Sequence, residues 1–245
     1  MGHVFDFHDT QKYVQSLIQE RNRCAVGLES QLMLDMLSPA KGDSILDIGC
    51  GTGASIEPLL QSELDITGID ASPYMLDVAA ANLKNRVELY RGFAEDLPFD
   101  DNTFNYACFF TALEFVDAPA KAIEEACRVA KDKVFIGFLN RYALKGFLRR
   151  VEGVFSATIY NRARFFSVWE LKSMVRDMAG PVPVAWRTVL QFSRASGRFA
   201  RAFETCGLVQ RCPFGTFAGM VVTLVPRFRT RPLAMRYRPK TPILH

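Results

Sequence analysis

Gly49, Gly51 and Gly53 stand at alternate positions behind Asp47 in the run Leu46-Asp47-Ile48-Gly49-Cys50-Gly51-Thr52-Gly53, and Gly68-Ile69-Asp70 follows one strand–turn–helix unit later. Closely spaced glycines let the chain turn tightly and bring bare main chain against a ligand. The segment Ser44 to Ile48 reads as a short buried strand, followed by a helix starting near Ala54 whose first turn would offer unpaired N–H groups. Ile66 to Ile69 reads as a second strand. Asp70, at its tip, is placed to accept both hydroxyls of a ribose. The two motifs together predict a bound nucleoside cofactor.

The spacing Gly49-x-Gly51-x-x-Ala54, with an acid about twenty residues on, also satisfies the dinucleotide fingerprint. Asp47 separates the readings. Two residues before the first glycine a dinucleotide fold usually carries an apolar residue, whereas a carboxylate suits a cofactor with an ammonium group, as S-adenosylmethionine has. These residues resemble the class I S-adenosylmethionine-dependent methyltransferases, whose first motif is an acid followed by GxGxG and whose second ends in an acid on the next strand. Gly92-Phe93-Ala94-Glu95-Asp96-Leu97-Pro98-Phe99, with Asp101-Asn102-Thr103-Phe104-Asn105 behind it, is similar to the G-x-A-E-x-L-P-F stretch of the ubiquinone/menaquinone-biosynthesis-like (methyltransferase type 11) branch. The resemblance is strong from Gly42 to Gly137 and weak over Phe217 to Val225.

It implies a cofactor seat formed by Asp47, Gly49, Cys50, Gly51, Thr52, Gly53, Asp70, Ala71, Ser72, Met75, Ala94, Glu95, Phe110 and Thr111, with S-adenosylhomocysteine as the product. In that seat the backbone of Ala94 and the side chain of Glu95 meet the adenine edge. Phe93 departs from the family's frequent Asp, and Leu113-Glu114-Phe115 replaces its usual L-H-H.

The 245 residues, 49% of them apolar, suit one α/β domain with a single large core. Residues 10 to 37 read as helical from the spacing of Tyr13, Leu17, Ile18, Leu28, Leu32, Leu34 and Leu37, with Pro39 closing the stretch. Strands near 44–48, 65–69, 87–90, 104–109 and 133–138 alternate with helices near 54–62, 73–84 and 118–129, which predicts a parallel sheet covered on both faces. A helix from Ser167 to Met178 and a strand near 184–190 follow. Pro213-Phe214-Gly215 is a hairpin signal before a last strand over Thr216 to Val225. The expected fold is Rossmann-like α/β: seven strands, mostly parallel with an antiparallel last strand, a helical lid over residues 1–41 and a cap insertion over 141–183. The methyltransferase domain would span 1–226, with a basic tail over 227–245.

Cys24, Cys50, Cys108, Cys127, Cys206 and Cys212 form no C-x-x-C pair and have no histidine beside them, so neither a metal site nor a disulfide framework is expected. A reducing cytoplasm is the expected location. The sequence has no 18-residue apolar run and no secretory signal pattern at its start. Charge is segregated: residues 1–140 hold 11 Lys and Arg against 22 Asp and Glu, whereas residues 141–201 hold 12 against 3. That asymmetry favours an anionic partner. The acceptor is expected to be small or amphipathic, approached by Tyr13, Asn140 and Arg141. Two alternatives stand beside it: an RNA methyltransferase, and a non-catalytic module that meets a membrane surface through an amphipathic helix over Arg141 to Phe166.

Methyl transfer from a sulfonium is an in-line displacement, so alignment can supply up to about 7–11 kcal/mol of the barrier reduction without a metal or covalent nucleophile. An acceptor that must lose a proton needs a base, and His8, Asp9, Tyr13, Glu114 or water are available. His3, His8 and His245 read first as exposed and idle, with His8 alone of the three within reach of a substrate. Glu114, at the mouth of the fourth strand, is expected to contact the methionine end of the cofactor or act as the base. Phe109, Phe110 and Phe115 read first as core.

Overall fold

Segments with apolar residues on both sides of the backbone form the centre of the molecule. The computed structural model describes residues 3–17, 20–84, 86–143, 162–189 and 210–224. In it β1 (Ser44–Ile48), β4 (Phe104–Phe110) and β5 (Ala130–Leu139) are buried along most of their length, as strands covered on both faces are. With β2 (Asp65–Asp70), β3 (Glu88–Arg91), β6 (Val184–Val189) and β7 (Phe217–Thr223) they make one seven-stranded sheet in the order β3-β2-β1-β4-β5-β7-β6. Every pairing from β3 to β5 is parallel, and β7 runs antiparallel between β5 and β6. The chain leaves β1 toward β2 on one side, and β4 lies on the other. The carboxyl ends of β1 and β4 therefore flank a topological switch point, where open α/β sheets bind ligands.

Helices cover both faces, as expected. α4 (Pro119–Val129) buries Ala122, Ile123, Ala126 and Val129 in one stripe. Beside it, α5 (Val168–Ala179) opens with Ser167 accepting from the Glu170 amide. These helices close a core containing Leu46, Ile48, Phe109 and Leu171. On the opposite face α2 (Glu20–Leu37) and α3 (Pro73–Leu83) cover Ile45, Phe135 and Phe217.

The stretch expected to be helical over 10–37 is helical throughout its described residues, as α1 (Phe7–Leu17) and α2. Two local expectations are corrected. The helix expected over 54–62 is a 3-10 turn over Glu57–Gln61. Pro58 has no N–H to give the carbonyl of Ala54, so an α-helix starting there would lack that bond. β6 and β7 do pair antiparallel, but residues 190–216 lie between them, so Pro213-Phe214-Gly215 closes no tight hairpin. Those carbonyls are used otherwise, with Asn140 donating to the oxygens of Pro213 and Gly215. The aromatic and basic stretch with Phe147, Phe155 and Tyr160, most of the expected amphipathic helix, and the tail over 227–245 lie outside the described residues.

Two features set stability. Gly137 on β5 faces Gly219 on β7, and a Cβ at Gly137 would stand 2.5 Å from Phe217 Cζ and 3.1 Å from the Phe109 carbonyl oxygen. Gly27 on α2 faces open space. Gly137→Ala should therefore lower unfolding stability by about 1–3 kcal/mol through overpacking, while Gly27→Ala should raise it by up to about 1 kcal/mol. Chemical denaturation reads both.

The second feature is a pair of fully buried carboxyls, Asp47 and Glu114, each pushed up to about 7, chiefly by desolvation. In the unfolded chain both ionise near their ordinary values of about 4, so the folded state holds their protons across the interval up to about 7. Stability linked to them is present at low pH and lost as pH rises through about 7. Thermal melts from pH 5 to 8 should show wild type losing more stability than Glu114→Gln.

Candidate functional site

The glycine loop leaves β1 at the switch point and is stitched to its neighbour. Gly49 and Cys50 both donate to the carbonyl of Ile69, at 2.7 and 3.1 Å. Gly49 has φ +75, and a Cβ there would collide with Ala112 Cβ at 2.4 Å, so the loop packs directly on the segment after β4. Gly51, at φ +52, faces open space. That space is a cavity of about 440 Å³, within the range of small-molecule sites.

Asp70 is fixed at the tip of β2. One carboxylate oxygen accepts from the Gly51 amide at 2.9 Å and the other from the Ser72 amide at 2.8 Å. Burial raises its pKa, and those two amides work in the opposite direction. The carboxyl group thus sits on the cavity wall with desolvation only partly offset and lone pairs remaining for further donors. The hydroxyl of Ser72 caps α3, accepting from Met75, and donates to the carbonyl of Phe5 at 2.6 Å. That bond, with His3 N–H donating to the Phe115 carbonyl at 2.7 Å, lays residues 3–5 over the cavity. The Phe5 ring meets Phe115 edge-on at 5.0 Å and Tyr13 at 6.2 Å.

Of the residues expected at the cofactor, Gly49, Cys50, Gly51, Asp70, Ala71, Met75, Ala94, Glu95, Phe110 and Thr111 line this cavity, as does Tyr13 from the expected acceptor set. Thr111 takes the left-handed φ of +48 there, unusual for a β-branched residue. Asp47, Thr52, Gly53 and Ser72 are not on the wall. Asp47 lies beneath it, accepting from Ser55 at 2.8 Å with the Cys108 thiol 3.7 Å away, so the carboxylate expected at an ammonium is enclosed and Ser55 takes its place at the surface. Burial beside Asp47 pushes both the Cys50 and Cys108 thiols well up. Glu95 faces the cavity, yet its Oε1 accepts from the amides of Asp117 and Ala118, the two residues that lead into α4. Arg128 holds the same segment to α4 by donating to the carbonyls of Leu97 and Phe99.

The remaining expected residues act elsewhere. Glu114 is buried behind the wall, with Oε1 accepting from Leu139 at 2.7 Å and Oε2 without a hydrogen-bond partner. Asn140 is buried against Pro213 and Gly215. Arg141 is held by the Phe165 carbonyl and by Glu170. His8 is exposed and off the wall, and it is His3 that lines the cavity. The roof residues His3, Val4 and Phe5 were missed because their contacts reach Ser72 and Phe115, far along the chain, and no local spacing announces such a pairing.

The cavity fits a nucleoside: Asp70 provides an acceptor for paired hydroxyls, Gly51 leaves room that a side chain would fill, and Phe93 and Ala94 flank it. Among the described residues no cluster of His, Cys, Asp or Glu is placed to hold a metal ion, and no helix is long and apolar enough to cross a membrane.

Comparison with known proteins agrees with that geometry. Residues 46–137 match the methyltransferase domain family. An uncharacterized methyltransferase of Mycobacterium tuberculosis is 41% identical over 98 residues, 40% of each chain. The demethylmenaquinone methyltransferase of Renibacterium salmoninarum is 35% identical over 101 residues, 41% of this chain and 42% of that one. The match thus spans less than half the length of these curated relatives. A Thermotoga maritima structure described as a methyltransferase dependent on S-adenosylmethionine, possibly for histamine, superposes with a TM-score of 0.65 at 23% identity, covering 89% of this chain and 99% of that one. That likeness is one of fold. The match to the methyltransferase domain family thus covers residues 46–137, within a Rossmann-like fold shared with a solved S-adenosylmethionine-dependent methyltransferase.

Proposed function

We propose that the chain binds S-adenosylmethionine beneath residues 3–5 and transfers its methyl group to a small or amphipathic acceptor. The observation that carries this reading is the Asp70 carboxylate, oriented by the Gly51 and Ser72 amides on a cavity wall inside the family-matched segment. When bound, the cofactor supplies a methyl group already activated on a sulfonium. The protein's tasks are then to hold, align and exclude water. Asp70 accepts the ribose hydroxyls, and the glycine loop leaves room for main-chain contact. Phe93 and Ala94 border the base. The rings of Phe5, Phe110 and Phe115 give the rest of the wall an aromatic character that suits a sulfonium, worth about 0.5–2 kcal/mol where a ring face meets the cation. The same rings suit an apolar acceptor body, and Lys12 on the wall suits an anionic group upon it. Arg141, engaged with Glu170, is left out of that role.

The test is to incubate the protein with methyl-labelled S-adenosylmethionine and, separately, aqueous metabolites, a lipid extract and total RNA. Label in the metabolite or lipid fraction is expected. Label confined to RNA would replace the acceptor class, and binding without label anywhere would overturn transfer. Asp70→Ala should weaken S-adenosylmethionine binding by about 1.5–3 kcal/mol, the range for hydrogen bonds to a charged group, as calorimetry would read.

A further inference from the structure

His3 and Asp9 form a pair on the cavity roof that nucleoside binding does not require. His3 Nε2 lies 2.6 Å from Asp9 Oδ2, with the two side chains 20% and 16% exposed. A carboxylate only accepts, so Nε2 carries the proton of the neutral ring and donates it to Asp9, which leaves the lone pair on Nδ1. The ring lines the cavity, and its main chain is anchored by the His3 N–H to the Phe115 carbonyl. The charged groups set against it are Asp6 and Asp9 on its own segment and Arg162 opposite. Arg162 Nη1 stands 3.4 Å from Nδ1, 3.2 Å from Nε2 and 3.7 Å from Asp9 Oδ2. A guanidinium only donates, so its N–H meets the Nδ1 lone pair on the exposed side until an acceptor displaces it. A histidine oriented by a carboxylate on the wall of a cavity is the arrangement of a general base.

We propose that His3, oriented by Asp9, takes the proton from the methyl acceptor. The inference rests on the transfer reading above and deepens it. It assigns to the site an acceptor whose attacking atom carries a hydrogen. The acceptor's lone pair forms the new bond to the methyl carbon, the carbon–sulfur pair remains on sulfur, and the acceptor's proton passes to Nδ1. Asp9 then faces an imidazolium, which later returns its proton to water. Asp9 is the positioning residue.

The experiment uses the full chain, methyl-labelled S-adenosylmethionine and a deproteinised metabolite and lipid extract of the source cells. Single-turnover labelling is followed from pH 5.5 to 9 for wild type, His3→Gln, His3→Ala and Asp9→Asn, with S-adenosylhomocysteine affinity measured in parallel. Wild type should slow toward acid pH. His3→Gln should lose that limb and about 10²–10⁴ of the rate. Added imidazole should restore part of the rate to His3→Ala, and Asp9→Asn should slow transfer while keeping the limb. S-Adenosylhomocysteine affinity should stay within about twofold in the His3 variants, which reports an intact cavity. Wild-type labelling with an unchanged rate and pH profile in His3→Gln would overturn the role of His3 alone. A rate loss matched by an equal loss of affinity, without imidazole rescue, would make His3 structural and overturn it too. No labelling by wild type that binds S-adenosylmethionine would overturn transfer, and the base with it.

Discussion

Asp70 reaches the end of β2 with both carboxylate oxygens already engaged, one by the Gly51 amide and one by the Ser72 amide. The first bond sets the glycine loop against β2. The second sets the start of α3, whose capping hydroxyl in turn holds Phe5 over the cavity. Loop, helix and roof thus depend on one charged group. The geometry has an electrostatic cost: Asp70 is drawn out of water, and the two amides compensate only in part. Two hydroxyl donors would supply what is missing, which is why the residue that organises the architecture is also the one suited to recognise a ribose.

The sheet determines where that carboxylate can act. β1 has β2 on one side and β4 on the other, so the glycine loop and the segment after β4 come together at the reversal of strand order. Their contact is close, with Gly49 packed on Ala112 so tightly that no larger residue fits. Buried acids brace the arrangement from behind. Asp47 accepts from Ser55 under the loop, and Glu114 accepts from Leu139 behind the wall. Both spend their polarity on positioning protein atoms, and their desolvation is tolerable because each holds its proton to about pH 7.

Sequence reading located the parts of this site that one segment makes for itself. The GxGxG loop, Asp70 at a strand tip and the Gly92–Phe99 stretch are legible because local spacing forces a turn or a strand end. The direction of the last strand was reached through resemblance and the Pro213-Phe214-Gly215 signal, although that segment closes no tight hairpin. Depth was not legible. Asp47, Glu114, Asn140 and Arg141 carry chemically useful groups, but the fold turns each toward protein atoms, and only tertiary packing decides that. The same blindness hid His3 and Phe5, which owe their place to Ser72 and Phe115. Pro58 shows a different failure, since a missing N–H that sequence does display was outweighed by the expectation of a helix after the glycines.

The most direct test of the account is calorimetric titration of the protein with S-adenosylhomocysteine and with its 2′,3′-O-isopropylidene derivative, in which both ribose hydroxyls are blocked. If Asp70 is the ribose acceptor at the heart of the site, the parent compound binds at one site per chain and the blocked derivative does not compete. Equal binding of the two, or binding of neither, would contradict the account.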